Sequence, residues 1–549
     1  MARFLEYARV LPGVLFAWAA HRERRPAIRL DDRRFLPGPN RFGTGPVASL
    51  RVALDAQESS DAVAGRLLAA ASAIRARLGE DSASITLFAG KRLAAVGIAC
   101  PNELRAKVIL DHLVRKLSLI PQGEPLPTRA AYAALSSISE APPPAHVPVA
   151  AITGTNGKST TTRLLARIAR EVGHTPGVTT SDGVWIGTQL ALAGDYTGPQ
   201  GAARALGAPE VTIGILEIAR GGIALKGLGV PAVNVAVVTN VDADHLGLDG
   251  IDTVDELVSL KMAVVAAVKP GGACILNAAD VHTPLMAAGS PVPVTLFGLD
   301  ETTPLLAQHI ETGGIAYANR DGWLVRIANG LAEPIIATDN IPITLGGIAQ
   351  HNTENALAAT AAAFALDIPL AAIQTGLRSF QSSPAENPGR LNLYHVEGRT
   401  VLLDFAHNPH GLRALLTVAE TLAGDHRVLA VIGTAGDRRA EDLQALGEIA
   451  GQRCADVVVK GTVKYLRGRT LDELLALYLD GLERTGRNRA AIPVTVDEVT
   501  GFQAAFALSA PGDVIAIMCQ EQRAQLWEML GANNLYPESN ASGPEVSKG

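Results

Sequence analysis

The run Thr153-Gly154-Thr155-Asn156-Gly157-Lys158-Ser159-Thr160 concentrates the chemistry of this chain. Its glycines let backbone N–H groups approach phosphate oxygens, and a helix starting at Lys158 would add the positive end of its dipole. Lys158 would reach the β- and γ-phosphates, and the Ser159 hydroxyl would ligate Mg²⁺. The general pattern GxxxxGK[ST] asks for glycine at position 152, where Ile152 stands. The run is therefore a partial match, which a Gly-rich strand-to-helix turn without nucleotide would also satisfy.

Two acidic or histidine-bearing segments follow. Glu217 lies in Leu216-Glu217-Ile218-Ala219-Arg220-Gly221-Gly222-Ile223, and His245 closes Val238-Thr239-Asn240-Val241-Asp242-Ala243-Asp244-His245-Leu246-Gly247. A carboxylate at the C-terminal end of a strand is where an open α/β sheet places a site residue. Glu217 with Ser159 would hold the Mg²⁺ of a nucleotide. A lone histidine is ordinarily packed or capping, and histidine is a less usual Mg²⁺ ligand than oxygen. The Asn-x-x-x-Asp-His context turns His245 toward a second Mg²⁺.

The order of these motifs resembles the Mur ligase superfamily, and within it the Mur-type half of the cyanophycin synthetase family, from about Val147 to about Ile517. The resemblance implies an ATP- and Mg²⁺-dependent ligase that activates a carboxylate as an acyl phosphate and couples it to an amine. It implies that Lys261 carries a carbamate formed with CO₂, which makes it an anionic metal ligand beside His245. A buried lysine with a depressed pKa supplies the neutral amine this needs. An unburied one would be an ordinary surface cation.

By the same resemblance, Asn352 and Asn355 in Gly347-Ile348-Ala349-Gln350-His351-Asn352-Thr353-Glu354-Asn355 meet adenine, although helix capping is their plain alternative. Arg390 would reach the phosphates, and Asp404 in Asp404-Phe405-Ala406-His407-Asn408-Pro409 would bind ribose. Asn277 and Asp280 are equally well read as turn formers. Arg438, Arg439, Arg467 and Arg469 are either forks for an incoming carboxylate or plain surface arginines. The amine would be arginine and the acceptor an aspartyl side-chain carboxylate. The family's ATP-grasp domain has no room between the first segment and Thr153, so a separate ATP-grasp partner would supply it, or a single residue is added to another acceptor. A folylpolyglutamate synthetase-like ligase and a nucleotide-binding pseudoenzyme are the competing readings. The stretch Ala219-Arg220-Gly221-Gly222 argues against the first, and the presence of Lys158, Glu217, His245 and Lys261 against the second.

The elements that must position these residues are short apolar runs alternating with helices. Val147–Thr153, Val211–Leu216, Val233–Thr239 and Ala273–Leu276 read as strands, and Lys158–Glu171 and Val254–Val268 as helices. This predicts an α/β fold with a central, mostly parallel sheet of phosphate-loop type over residues 146–385. After Ser382-Ser383-Pro384 and Asn387-Pro388-Gly389 the alternation resumes as a smaller C-terminal α/β domain over 386–536. Its elements read as strand Thr400–Asp404, helix Gly411–Leu422, strand Val428–Ile432, helix Glu441–Ala450 and strand Asp456–Val459. Residues 1–145 read as an α+β N-terminal domain ending in the Pro-rich linker Glu140–His146, and 537–549 as a disordered tail.

At 549 residues the chain needs several cores. Its net charge of −6 and aromatic content of 4% exclude a base-stacking nucleic-acid binder. The cluster Arg22, Arg24, Arg25, Arg29, Arg33 and Arg34 is interrupted by acids and reads as a solvated face. The apolar run Val10–Ala20 reads as a packed helix rather than a signal peptide, and no stretch is long enough to span a bilayer. Cys100, Cys274, Cys454 and Cys519 are too scattered for a zinc site and fit reduced thiols in the cytoplasm. The expected partners are an amino acid and a carboxylate substrate, with homo-oligomers left open.

Overall fold

The computed structural model describes residues 28–36, 40, 47–54, 60–78, 85–89, 93–100, 106, 109, 110, 113, 114, 117, 145–248 and 251–531. The Val10–Ala20 segment, most of the Pro-rich linker and the tail from Pro537 lie outside the described residues. The chain divides into two compact units, residues 1–36 with 46–141 and residues 37–45 with 142–549. No helix among the described residues is long and apolar enough to cross a membrane.

The first unit holds strands β1 (Ile28–Leu36), β2 (Val47–Leu54), β3 (Ile85–Ala89) and β4 (Leu93–Ala99), in the order β1-β2-β4-β3 and antiparallel throughout. Helix Ser60–Leu78 packs on this sheet, and Leu50, Val52, Leu67 and Ile98 are fully buried between them. This is the α+β arrangement expected of the segment.

In the second unit an eleven-stranded sheet comprises β5 (Val149–Thr153), β6 (Pro176–Thr180), β7 (Gly183–Ile186), β8 (Gln189–Ala193), β9 (Ile213–Glu217), β10 (Val233–Val238), β11 (Val268–Asn277), β12 (Val294–Gly298), β13 (Ala316–Arg320), β14 (Trp323–Ala328) and β15 (Leu331–Ala337). Their order is β15-β14-β13-β12-β11-β10-β5-β9-β6-β7-β8. The strands from β13 to β6 are parallel, and antiparallel hairpins extend both edges. Val149, Ala151, Leu216 and Ala236 enter the core on one face, and Ala150, Ile152, Ile215 and Val235 the core on the other. Burial on both faces is why these strands read as continuous apolar runs.

Chain order reverses around β5, which pairs with β9 on one side and β10 on the other. The crevice beyond the C-terminal ends of strands at such a point is where open α/β sheets bind ligands. Glu217 ends β9 opposite Ile152, so the register brings it level with the start of the phosphate loop.

A six-stranded sheet follows: β16 (Asn392–Val396), β17 (Arg399–Asp404), β18 (Val428–Ile432), β19 (Asp456–Lys460), β20 (Val494–Thr495) and β21 (Val514–Met518), ordered β16-β17-β21-β18-β19-β20. It is parallel except for the β16–β17 hairpin. The fold class is the one read from the sequence. The edge hairpins are additions to it: β8 is mostly exposed, and β14–β16 mix polar with apolar positions. All four cysteines are buried, and none is in a disulfide.

Candidate active site

The loop from Gly154 to Gly157 is shaped by its neighbours. Gly154 has φ +149°, and a Cβ there would stand 1.9 Å from Thr239 Oγ1; Gly157 has φ +85°, and its Cβ would meet Asn355 Oδ1 at 2.2 Å. Only glycine satisfies both the left-handed backbone and the close approach. Thr155 N donates to Asn240 O at 2.8 Å, and Asn156 N donates to Asn240 Oδ1 at 2.9 Å. The Asn240–Asp242 segment after β10 thus pins the loop that precedes helix Lys158–Arg170.

Lys158 Nζ donates to Thr155 O at 2.8 Å, and burial holds its pKa below the ordinary lysine value. Ser159 Oγ donates to Glu217 Oε1 at 3.1 Å. Glu217 Oε2 is buried and has no hydrogen-bond partner. Burial raises the Glu217 pKa against the opposing pull of Lys158 and Arg390. An oriented carboxylate with an orphaned oxygen and an adjacent hydroxyl is the kind of hard-oxygen donor set that suits Mg²⁺.

Helix Val254–Ala266 starts with a capping box, Thr253 with Glu256, and buries Leu257, Val258, Leu260, Lys261 and Val264. Lys261 stands four residues after Leu257 and three before Val264, which places it on the inward face. Its Nζ donates to Gly154 O at 2.7 Å, and it is 2% exposed. Burial, with Lys158 nearby, depresses its pKa well below the ordinary value. His245 has φ +52°, and desolvation pushes its imidazole down to about 4. The Arg438 guanidinium lies 3.3 Å from His245 Nε2.

The six-stranded sheet contributes from β17 and the turn before β16. Arg390 Nη2 donates to Ser159 Oγ at 3.2 Å, with its guanidinium 4.5 Å from the centre of the Phe405 ring. Asp404 accepts from Leu391 N at 2.8 Å and from Ala406 N at 2.7 Å, and burial raises its pKa. Asn408 Nδ2 donates to Asn156 Oδ1 at 3.2 Å, a direct bond between the two sheets' loops.

Gly154, Thr155, Asn156, Gly157, Lys158, Ser159, Thr160, Glu217, His245, Lys261, Asn352, Asn355, Arg390 and Asp404 all line one cavity of about 540 Å³. Asn352 donates to Ile343 O at 2.8 Å and accepts from Asn355 Nδ2 at 3.1 Å, so these two amides are partly occupied by each other. Asn277 and Asp280 act as loop organisers outside the lining. Asn277 Oδ1 accepts from Ala279 N, and Asp280 from His282 N and Val241 N. The arginine motifs also lie outside it. Arg438 is buried against Asp437, Arg439 pairs with Asp442, and Arg469 donates to Gly436 O and Arg438 O. Arg467 lies 5.4 Å from the Tyr465 ring.

Several lining residues were not singled out from sequence: Asp195, Thr197, Asp244, His351, His407 and His410. Asp244, His245 and His407 bring ligand-capable atoms within 4.8 Å of one another, and His407 Nε2 lies 3.2 Å from Asp244 Oδ2. The signals were adjacent to those used: Asp244 precedes His245, and His407 follows Asp404 within one motif.

Residues 152–363 match the Mur ligase middle domain, and residues 389–520 the Mur ligase glutamate ligase domain. Over 456 residues the chain is 35% identical to the cyanophycin synthetase of Trichormus variabilis, an alignment covering 82% of this chain and 50% of that protein. Over 432 residues it is 24% identical to the UDP-N-acetylmuramoyl-L-alanyl-D-glutamate–2,6-diaminopimelate ligase of Alkaliphilus metalliredigens, covering 77% of this chain and 81% of that one. The chain spans about half the length of the cyanophycin synthetases it matches. The structure of E. coli FolC in complex with DHPP and ADP aligns with a TM-score of 0.51 at 21% identity, over 70% of this chain and 89% of that chain. That likeness is one of fold.

Proposed function

The chain belongs to the Mur ligase superfamily, and from that premise we propose that it is an ATP-dependent ligase joining an amino acid to a carboxylate acceptor, with release of ADP and phosphate. One observation carries the reading. Ser159 Oγ is held between Glu217 of the eleven-stranded sheet, at 3.1 Å, and Arg390 beside the six-stranded sheet, at 3.2 Å, so both halves meet where a terminal phosphate would lie.

In this reading the acceptor carboxylate oxygen attacks the γ-phosphorus of ATP and ADP leaves. The amine nitrogen then attacks the acyl-phosphate carbonyl carbon, phosphate departs, and the nitrogen loses its proton. Lys158 and Arg390 neutralise charge that builds on the transferred group, which is where electrostatic catalysis acts most strongly. Ser159 and the orphaned Glu217 Oε2 would hold Mg²⁺, which supplies further neutralisation when bound. His245 with Lys261 would hold a second ion, Lys261 as its carbamate. A lysine whose pKa burial lowers well below the ordinary value supports that modification. Asp404 would receive the ribose, and Asn352 and Asn355 the base. The amine and acceptor classes follow the cyanophycin synthetase relatives: arginine and an aspartyl carboxylate.

ADP release measured over a panel of amino acids, with and without short acidic peptides, tests the reading. Turnover requiring both an amine and a carboxylate supports it; turnover requiring neither contradicts it.

A further inference from the structure

Asp182, in the β6–β7 turn, joins three parts of the second unit. It pairs with Arg163 of the phosphate-loop helix, and it accepts from Arg523 Nη2 at 2.7 Å. Arg523 opens the last described helix, Arg523–Gly531, beyond the second sheet. Burial alone would raise the Asp182 carboxyl, but Arg163, Arg523 and Arg390 together hold its pKa below the ordinary value.

Arg523 also contacts the segment that carries Arg390. Its Nη1 donates to Pro388 O at 3.3 Å, and its Cδ lies 2.7 Å from where a Cβ on Gly389 would stand. Its guanidinium lies 5.5 Å from the centre of the Phe405 ring, the ring Arg390 contacts at 4.5 Å. Asn387, one step earlier, accepts from Arg163 Nη1 at 3.3 Å and donates to Thr160 Oγ1 at 3.4 Å. The loop before Arg523 is itself fixed, because the buried Glu498 accepts from Gln520 N, Glu521 N, Gln522 N and Lys460 Nζ.

We propose that Arg523 is a positioning residue: by holding Asp182 across the two sheets and bracing Pro388, Gly389 and Phe405, it sets Arg390 against Ser159. This rests on the ligase reading only for its kinetic consequence. An arginine is required because one planar guanidinium contacts a carboxylate, a carbonyl and a ring together, which an ammonium does not reproduce.

The test uses the full chain with Arg523→Met, Arg523→Lys and Asp182→Asn, each also in an Arg390→Ala background. Arg523→Met should lower kcat by about 10- to 100-fold while KM for ATP changes less than about 3-fold. In the Arg390→Ala background the same change should cost less than about 2-fold, because the group it positions is gone. Arg523→Lys should fall between. Independent multiplication of the two effects overturns the proposal, as does a full-activity Arg523→Met. Should Arg523→Met not fold, Asp182→Asn is read by the same criteria. Solution scattering with a nonhydrolysable ATP analogue and Mg²⁺ separates this from the ligase reading. If the wild type shows no amine-dependent turnover, the ligase reading fails, and scattering alone decides. Compaction in the wild type that is lost in the variant supports the positioning role, and equal dimensions in both overturn it.

Discussion

Glu217 accepts the Ser159 hydroxyl through Oε1 at 3.1 Å and leaves Oε2 buried with no partner. A half-satisfied buried carboxylate is costly to the folded chain and is expected where a ligand completes it.

Replacing it should therefore trade activity for stability. A carboxyl whose folded pKa is raised favours folding while protonated, and that contribution is lost as pH rises through the folded pKa. Glu217→Gln removes this loss. Its melting temperature without nucleotide should exceed the wild type's by a margin that grows as pH rises above the ordinary glutamate value. Mg²⁺–ATP should then stabilise the wild type more than the variant, and turnover should be lost. Calorimetry showing a lower, pH-independent melting temperature for the variant would contradict this.

Lys158 is half-buried, with its amine folded onto Thr155 O. Lys158→Ala should lower turnover by about 10²- to 10³-fold, the scale of losing one preorganised donor to developing charge. Its circular dichroism and melting should stay near the wild type. Near-normal ADP release from folded Lys158→Ala would remove the phosphate loop from the account.

Lys261 offers a direct spectroscopic reading. With its pKa depressed by burial, its amine is available to CO₂. Protein prepared in ¹³C-bicarbonate should show a carbamate carbon resonance that Lys261→Ala lacks. Turnover should fall in CO₂-depleted buffer and recover with bicarbonate. It should also fall on acidification, as the amine is protonated. A fully active Lys261→Ala protein would refute the carbamate.

Much of the site was legible because its residues sit at strand ends and helix starts, where motif and topology coincide. Glu217 ends β9 and Lys158 begins its helix, and both positions follow from apolar runs and one glycine loop. The resemblance singled out Lys261, and its spacing from Leu257 and Val264 agrees with the burial observed. Asp182 and Arg523 were not legible: each lies in a turn or helix start with no motif, and their 341-residue separation is closed only by packing the two sheets together. The hairpins β7–β8 and β14–β15 were hidden for a different reason. Edge strands bury one face at most, and β8, exposed along most of its length, offers only the short run Leu190–Ala193.

The central claim, that a carboxylate is activated by direct attack on the γ-phosphorus, is tested most directly by isotope transfer. The wild-type protein is supplied with ATP, arginine and an acidic peptide whose side-chain carboxylates carry ¹⁸O, and the released phosphate is weighed by mass spectrometry. The account predicts ADP and phosphate containing one ¹⁸O for each amide formed. Unlabelled phosphate, or AMP with pyrophosphate, would contradict it.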